Sequence, residues 1–488
     1  MCFPQLYQVN LRFWLSQRSA QLERQAALDD LPDEELRRLA ELGFDWLYLL
    51  GAWQTGKAEA ALARGQAFLQ AQARQMLGGA GADAICASPF AVAGYRVPRQ
   101  WGGDAALARL RQRLHAHGLR LMLDFIPNHT GVSHPWAVHH PDYYVSAPPD
   151  AQPGDFQLVQ TDQGARRLAH GRDPFFPPWS DTFQLDYANP AMQQALAAEL
   201  LRLGEVCDGL RCDMAMLALP EVFERTWKRA APPFWQAALA RLKTSQPEFV
   251  LLAEVYWGLE STLLKQGFDY AYDKSLLDRL IEMRAAGVRR QIEADHDLQT
   301  RLARFLENHD EPRVAARLPL PAHRCAALIA FFQPGLRFFY AGQLEGRRLR
   351  APVQFCYPPA EPDDPPAQAF YRALLEQLKA FAPQPGSWTP LRPRSAWDGN
   401  PTWANFIACT WLDQSRGRWL ALANYAGYQG QCYVPLAFSD LSAADYALHD
   451  RLGEAVYTRA SADLRQRGLY LDLPAWGLHL FQILPATG

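Results

Sequence analysis

No C-x-x-C pair occurs among the eight cysteines, which stand apart at Cys2, Cys86, Cys207, Cys212, Cys325, Cys356, Cys409 and Cys432. Such scatter argues against a zinc site or a disulfide framework. The expectation is free thiols acting as small buried hydrophobes in a reducing compartment. An excess of one charge is also missing. The 49 basic and 51 acidic side chains leave a net −2, which gives no reason to expect a nucleic-acid or anionic-membrane partner. No uninterrupted apolar run reaches the length of a membrane span. The opening Met1-Cys2-Phe3-Pro4-Gln5 lacks the charged and apolar regions of a secretory leader. A soluble, cytoplasmic protein with neither membrane nor nucleic-acid partners is therefore expected, its oligomeric state open. Low-complexity tracts are absent, as are tandem repeats beyond strand–helix units.

What is present is enough for a large core: 49% of residues are hydrophobic and 20% charged. The 15 Trp, 18 Tyr and 25 Phe suit a cleft for sugars, although aromatic cores are the commoner use. Leu6 to Leu15 alternates like a strand. Pro32, three acids (Asp33, Glu34, Glu35) and Gly43 bracket a helix. An apolar strand at Phe44–Trp53 leads into an Ala/Gln-rich helical excursion over 54–78. A helix over 104–117 stops at Gly118, and Leu119–Asp124 is apolar until its final acid. The order then recurs, with strands at Phe249–Glu254, Gly267–Tyr272, Ala303–Asn308 and Gly335–Tyr340. Helical stretches intervene around 189–207, 232–243, 274–286 and 322–332. Eight such strands predict a parallel sheet closed into a (β/α)₈ barrel, with chemistry at the C-terminal strand ends.

Asp124, Asp213, Glu254 and Asp310 all fall at those ends. A barrel gathers them at one mouth, and so costly a cluster of charge favours a shared function. Two stretches break the repeat. Residues 130–185, rich in Pro, Gly and His, predict a lobe inserted after the third strand. Beyond about 381, Pro/Gly/Trp turns between short alternating runs predict an antiparallel β-sandwich. The expected division is a barrel over 1–129 and 186–385, a lobe over 130–185 and a C-terminal β domain over 386–488. In Gly209-Leu210-Arg211-Cys212-Asp213-Met214-Ala215, strand alternation puts Arg211 and Asp213 on one side. A neighbouring guanidinium lowers a carboxylate pKa by roughly 1–3 units, keeping it charged as a nucleophile must be. A structural ion pair closing the barrel is the equal alternative at that stretch.

Four segments together resemble the α-amylase superfamily of glycoside hydrolases (glycoside hydrolase family 13). Asp124-Phe125-Ile126-Pro127-Asn128-His129 is similar to its D-x-x-x-N-H stretch, and Gly209–Asp213 to its G-x-R-x-D. Glu254 resembles its general-acid segment and Asn308-His309-Asp310 its N-H-D segment, all in the family's order. The resemblance implies a retaining mechanism on an α-glucosidic bond, which needs two carboxyls about 5–5.5 Å apart in opposite protonation states. It implies Asp213 as nucleophile, Glu254 as acid/base and Asp310 as the group holding the ring's 2- and 3-hydroxyls. Arg211 is implied to fix Asp213, His129 and His309 to bind ring hydroxyls, Tyr95 to stack beneath the sugar, and Asp124 to support the pocket floor.

The chain departs from the family where many starch-degrading members carry an acceptor-side Lys-His pair, for Met216 and Leu217 stand there. Of the family's frequent calcium site only Asn128 is clearly in place, so no cofactor is required and calcium is the less favoured alternative. Trp53, Tyr256, Trp257 and Gln343 are expected in ordinary packing, and His134, His139 and His140 on the lobe's surface. The activity so implied is retaining hydrolysis of short α-glucosides or malto-oligosaccharides, with glucosyl or maltosyl transfer or sugar isomerisation as the alternative. A non-catalytic carbohydrate-binding relative should lack one of the three acids. A metal-dependent barrel enzyme should carry a histidine cluster.

Overall fold

The computed structural model describes residues 3–147, 151–415, 417–442 and 444–486. Its centre is a closed eight-stranded barrel: β1 (Gln5–Asn10), β2 (Trp46–Leu50), β3 (Arg120–Phe125), β4 (Gly209–Cys212), β5 (Val250–Ala253), β6 (Tyr270–Tyr272), β7 (Leu302–Arg304) and β8 (Leu336–Tyr340). Each strand pairs in parallel with its sequence neighbours, and β8 closes against β1. The strands are apolar on both faces because side chains fill the barrel and helices cover it. Between β3 and the helix Pro190–Val206 the chain makes its long excursion. There His129–Gly131 pairs with Thr182–Gln184, and Phe156–Thr161 with Gly164–Ala169.

Beyond the helix Pro365–Ala380, a six-stranded antiparallel sheet faces a three-stranded one across a separate apolar core containing Phe406, Leu420, Val434 and Phe481. This domain is fastened to the barrel's helices: Tyr425 donates to the Leu280 carbonyl at 2.7 Å and Trp411 to that of Phe332 at 2.9 Å. Among the described residues no helix is long and apolar enough to cross a membrane.

Several expectations are corrected. The strand expected over Leu6–Leu15 ends at Asn10, because the Asn10 side chain caps the helix Leu11–Leu22 by accepting from the Phe13 amide at 3.3 Å. The helical excursion over 54–78 is two helices, Lys57–Gly65 and Ala67–Met76, behind a short strand Gln54–Thr55. His134 is buried rather than on the surface, packed edge-on against Trp136.

The cysteines are not all free. Cys86 and Cys356 form a disulfide across 270 residues, while Cys207, Cys212, Cys325, Cys409 and Cys432 are buried thiols, and Cys2 lies outside the described residues. Spacing could not reveal the bond, since folding alone makes it. The Ile85–Phe355 bridge and the reciprocal bonds Cys86 N–H to the Gln354 carbonyl (2.7 Å) and Cys356 N–H to that of Ala84 (2.9 Å) bring the two Cα atoms to 5.6 Å. The disulfide withdraws the ground on which a reducing, cytoplasmic location was expected.

Candidate active site

Strand β4 places the site. Its register sets Gly209 opposite Met122 and Val250, and Arg211 opposite Asp124 and Leu252. Glycine is needed at 209, where a Cβ would stand 2.8 Å from the Val250 carbonyl oxygen and 3.0 Å from the Trp46 ring. Two residues on, the same inward face carries Arg211, wholly buried.

That guanidinium joins two of the expected acids. Its Nη1 lies 2.6 Å from Asp213 Oδ1 and its Nη2 2.7 Å from Glu254 Oε2. Asp124 Oδ1 stands 3.6 Å from Nη1, and Nε faces the Tyr272 hydroxyl at 3.3 Å. Burial works against the charge on Arg211, but Glu254 foremost, with the tyrosines and Asp213, holds it firmly protonated. Glu254 Oε2 also accepts from the Met214 amide at 2.6 Å, which Met214 presents from a left-handed φ of 43°. Oε1 accepts from the Tyr256 hydroxyl at 2.8 Å.

Burial pushes the carboxyls of Asp213 and Glu254 above their ordinary range, each against the downward pull of Arg211. The guanidinium alone therefore does not decide the charge on Asp213, as its spacing had suggested. Asp213 does carry, besides that charge, a direct hydrogen bond from Arg211.

Asp310 completes the group at the mouth, its side chain 50% exposed and 2.9 Å from His309 Nε2. Partial loss of water works upward, but His309, Arg211 and Arg350 hold its pKa down to about 2. Arg350 donates to the Asp310 carbonyl at 2.6 Å, and Gln8 of β1 lies 2.9 Å from His309 Nδ1.

The remaining expected residues divide. Asp124 is buried inside the barrel, and its oxygens accept from the Tyr48 hydroxyl at 2.5 Å and the Gly51 amide at 3.0 Å. His129 is buried beside Trp179, 5.2 Å between rings, and burial lowers its pKa to about 4, so it is neutral. Tyr95 is also buried, its ring against Trp53 and Phe125 and its hydroxyl tied to the Ile126 backbone. Trp53 and Gln343 are packed, as expected. Tyr256 and Trp257 are not: one holds Glu254, and the other is 39% exposed with its ring 4.9 Å from Phe175. The Arg225 guanidinium lies over both rings. Met216 and Leu217 sit buried in the turn Ala215–Ala218, so that side presents no polar side chain there.

Sequence reading missed Phe90, Gln8, Tyr48, Tyr272 and Arg350. Phe90 places its ring 5.2 Å from the His309 ring and 5.2 Å from the centre of the Arg211 guanidinium. The only signal for it was Pro89-Phe90 following the second strand.

Asn128 is engaged within the protein. Its side-chain oxygen accepts from the Gln184 amide at 3.0 Å and its carbonyl from the same group at 2.9 Å. Among the described residues no three His, Cys, Asp or Glu side chains are grouped to hold a metal ion.

Over 181 residues the chain is 32% identical to the trehalose synthase/amylase TreS of Mycobacterium tuberculosis, covering 33% of this chain and 29% of that one. It is 24% identical to the α-amylase MalA of Haloarcula japonica, covering 52% and 36%. The match thus spans about a third of each relative's length. Among solved structures, the maltogenic α-amylase AmyB of Thermotoga neapolitana superposes with a TM-score of 0.70 at 15% identity, covering 99% and 98% of the two chains. An α-amylase of Lactobacillus plantarum gives 0.68 at 19% identity, with 99% of each chain covered. At those identities the likeness is one of fold. The family model described as the α-amylase catalytic domain matches residues 90–349, over half of the chain. The protein belongs to the α-amylase family.

Proposed function

We propose that the protein is a retaining α-glycoside hydrolase acting on short α-glucosides or malto-oligosaccharides. The observation that carries this reading is one buried guanidinium held by two carboxylates, with a third at the open mouth beside them. Asp213, oriented by its hydrogen bond from Arg211, attacks the anomeric carbon as the carboxylate. Glu254, raised by burial, protonates the leaving oxygen and then takes a proton from the incoming hydroxyl. Asp310, held ionised beside His309, binds the ring hydroxyls and stabilises the cationic transition state. Phe90 offers a ring face to the sugar, and His129, which is neutral, and His309 offer hydrogen bonds. Asp124 and Tyr95 support these groups through the barrel wall. No metal is required.

Glucosyl transfer or isomerisation by the same residues is the second reading. The partial likeness to a trehalose synthase/amylase favours it. Incubation with maltose, trehalose, sucrose, isomaltose and maltotriose separates the two: only the component monosaccharides and shortened chains mark hydrolysis, and isomeric or larger sugars mark transfer. Asp213→Asn and Glu254→Gln should each lose several orders of magnitude in rate with the fold intact. Near-normal turnover in either variant overturns the assignment.

A further inference from the structure

β2 and β8 flank β1 in the barrel, and the segments that follow them carry Phe90 and Arg350 to the mouth. Residues 86–88 and 347–350 of those segments lie in no helix or strand. The segments are joined to each other instead, by the Ile85–Phe355 bridge, its two flanking backbone bonds and the Cys86–Cys356 disulfide. The disulfide stands four residues before Phe90 and six after Arg350. Ile85, Ala351 and Phe355 share a small apolar core with Phe13 of the helix Leu11–Leu22. From that same helix one nitrogen of Arg12 donates to both segments, to the Ala87 carbonyl at 3.0 Å and the Val353 carbonyl at 3.2 Å. Burial lowers the Arg12 pKa to about 10, so at neutral pH the cation is kept and both bonds are charge-assisted.

The stabilisation a disulfide gives depends on the length of chain it closes, not on which side chains stand nearby. Its place between Phe90 and Arg350 adds a second consequence. We propose that Cys86 and Cys356 are positioning residues of the catalytic mouth. Their disulfide fixes where Phe90 and Arg350 stand, and reducing it weakens sugar binding there. Asp213 and Glu254, at the ends of β4 and β5, keep their chemistry. This inference rests on the function proposed above. A dithiol supplies the reduction: its thiolate attacks one sulfur, and its second thiol resolves the mixed disulfide. Two electrons and two protons pass to Cys86 and Cys356, which become thiols while the reductant becomes a disulfide. Both cysteines are half-buried rather than enclosed. Other ties limit the movement that follows. The Arg348 and Leu349 amides donate to Glu361 at 2.6 and 3.0 Å, and Arg12 keeps its two carbonyls. Reduction therefore shifts two side chains without dismantling the site.

The test compares wild type with and without dithiothreitol, at a temperature where circular dichroism shows both forms folded. Initial rates on the best substrate among the five sugars named above give KM and kcat, and hydrogen exchange reads the backbone over 84–91 and 347–356. Reduction should raise KM about two- to tenfold with kcat held within about twofold, and should speed exchange in both segments. Cys86→Ala with Cys356→Ala should show the reduced KM whether or not dithiothreitol is present. In Phe90→Ala with Arg350→Ala, reduction should leave KM where it is, because the groups it acts through are gone. A wild-type KM unmoved by reduction overturns the proposal. So does a rise of equal size in the Phe90→Ala, Arg350→Ala protein, or a fall in kcat with KM unchanged. If neither form turns over any of the five sugars, the proposed function falls and exchange alone decides the tie: faster exchange in both segments upholds it, and unchanged exchange refutes it.

Discussion

Removing the Tyr256 hydroxyl should make Glu254 a weaker acid without touching Asp213. Glu254 Oε2 is taken by Arg211 and the Met214 amide, so the transferable proton belongs on Oε1, the oxygen that Tyr256 holds at 2.8 Å. Burial, and then Glu254 itself, raises the Tyr256 pKa well above its ordinary value, so the phenol stays protonated and acts as a donor. A donor to a carboxylate favours the charged form, and losing it raises the carboxyl's pKa. Hydrogen bonds to charged groups are worth about 1.5–3 kcal/mol, and one pKa unit is 1.36 kcal/mol. Tyr256 is only half-buried, so water can replace part of the bond and the lower end applies. In Tyr256→Phe the alkaline limb of kcat/KM should therefore move up by about one pH unit. The acid limb, set by Asp213, should stay in place. Initial rates on maltose between pH 4 and 9 read both limbs. An alkaline limb that stays put or moves down refutes the assignment of Glu254 as the acid held by Tyr256.

Three further outcomes follow from the same structure. Burial raises the Glu254 pKa in the folded chain, so between the ordinary carboxylate range and that raised value the native state binds more protons than the unfolded one, and stability falls as pH rises through that window. Glu254→Gln should accordingly melt about 1–2 °C above wild type at pH 8, with no difference below pH 4; scanning calorimetry at both pH values tests it. Phe90→Ala removes the ring beside Arg211 and His309 and should lower kcat/KM roughly two- to tenfold, mainly through KM. Cys86→Ser, or reduction with dithiothreitol, should cost about 2–4 kcal/mol in denaturant unfolding, and coincident curves for oxidised and reduced protein would contradict a stabilising role.

The parts of the site legible in the sequence are those that strand geometry repeats. An acid closing an apolar run is visible as such, and period-two alternation puts Arg211 and Asp213 on one face, so the carboxylates and their cation could be named. Groups whose position depends on closure of the barrel were not legible. Gln8 meets His309 across 301 residues and Cys86 meets Cys356 across 270. Arg350 and Phe90 come from connecting segments without periodicity. Tyr256, two residues past Glu254, was in view but misjudged, because sequence shows its direction but not that its hydroxyl ends on a carboxylate oxygen. The false strand over Leu11–Leu15 has the same origin: an alternating pattern weighed without the capping bond that Asn10 supplies.

Arg211 is shared, and that sharing makes the choice of proton carrier a matter of hydrogen bonds. Each carboxylate has one of its oxygens on the guanidinium at nearly the same distance, 2.6 Å for Asp213 and 2.7 Å for Glu254, so the cation by itself distinguishes them poorly. The difference lies in the rest of each group. Asp213 holds an oriented hydrogen bond from Nη1, whereas Glu254 keeps one oxygen facing only a neutral phenol. Within Glu254, a proton settles on Oε1, where it displaces the weaker donor, and not on Oε2, held by Arg211 and the Met214 amide. On the proposed mechanism one buried guanidinium serves both carboxylates, and the Tyr256 hydroxyl marks the Glu254 oxygen that carries the transferred proton.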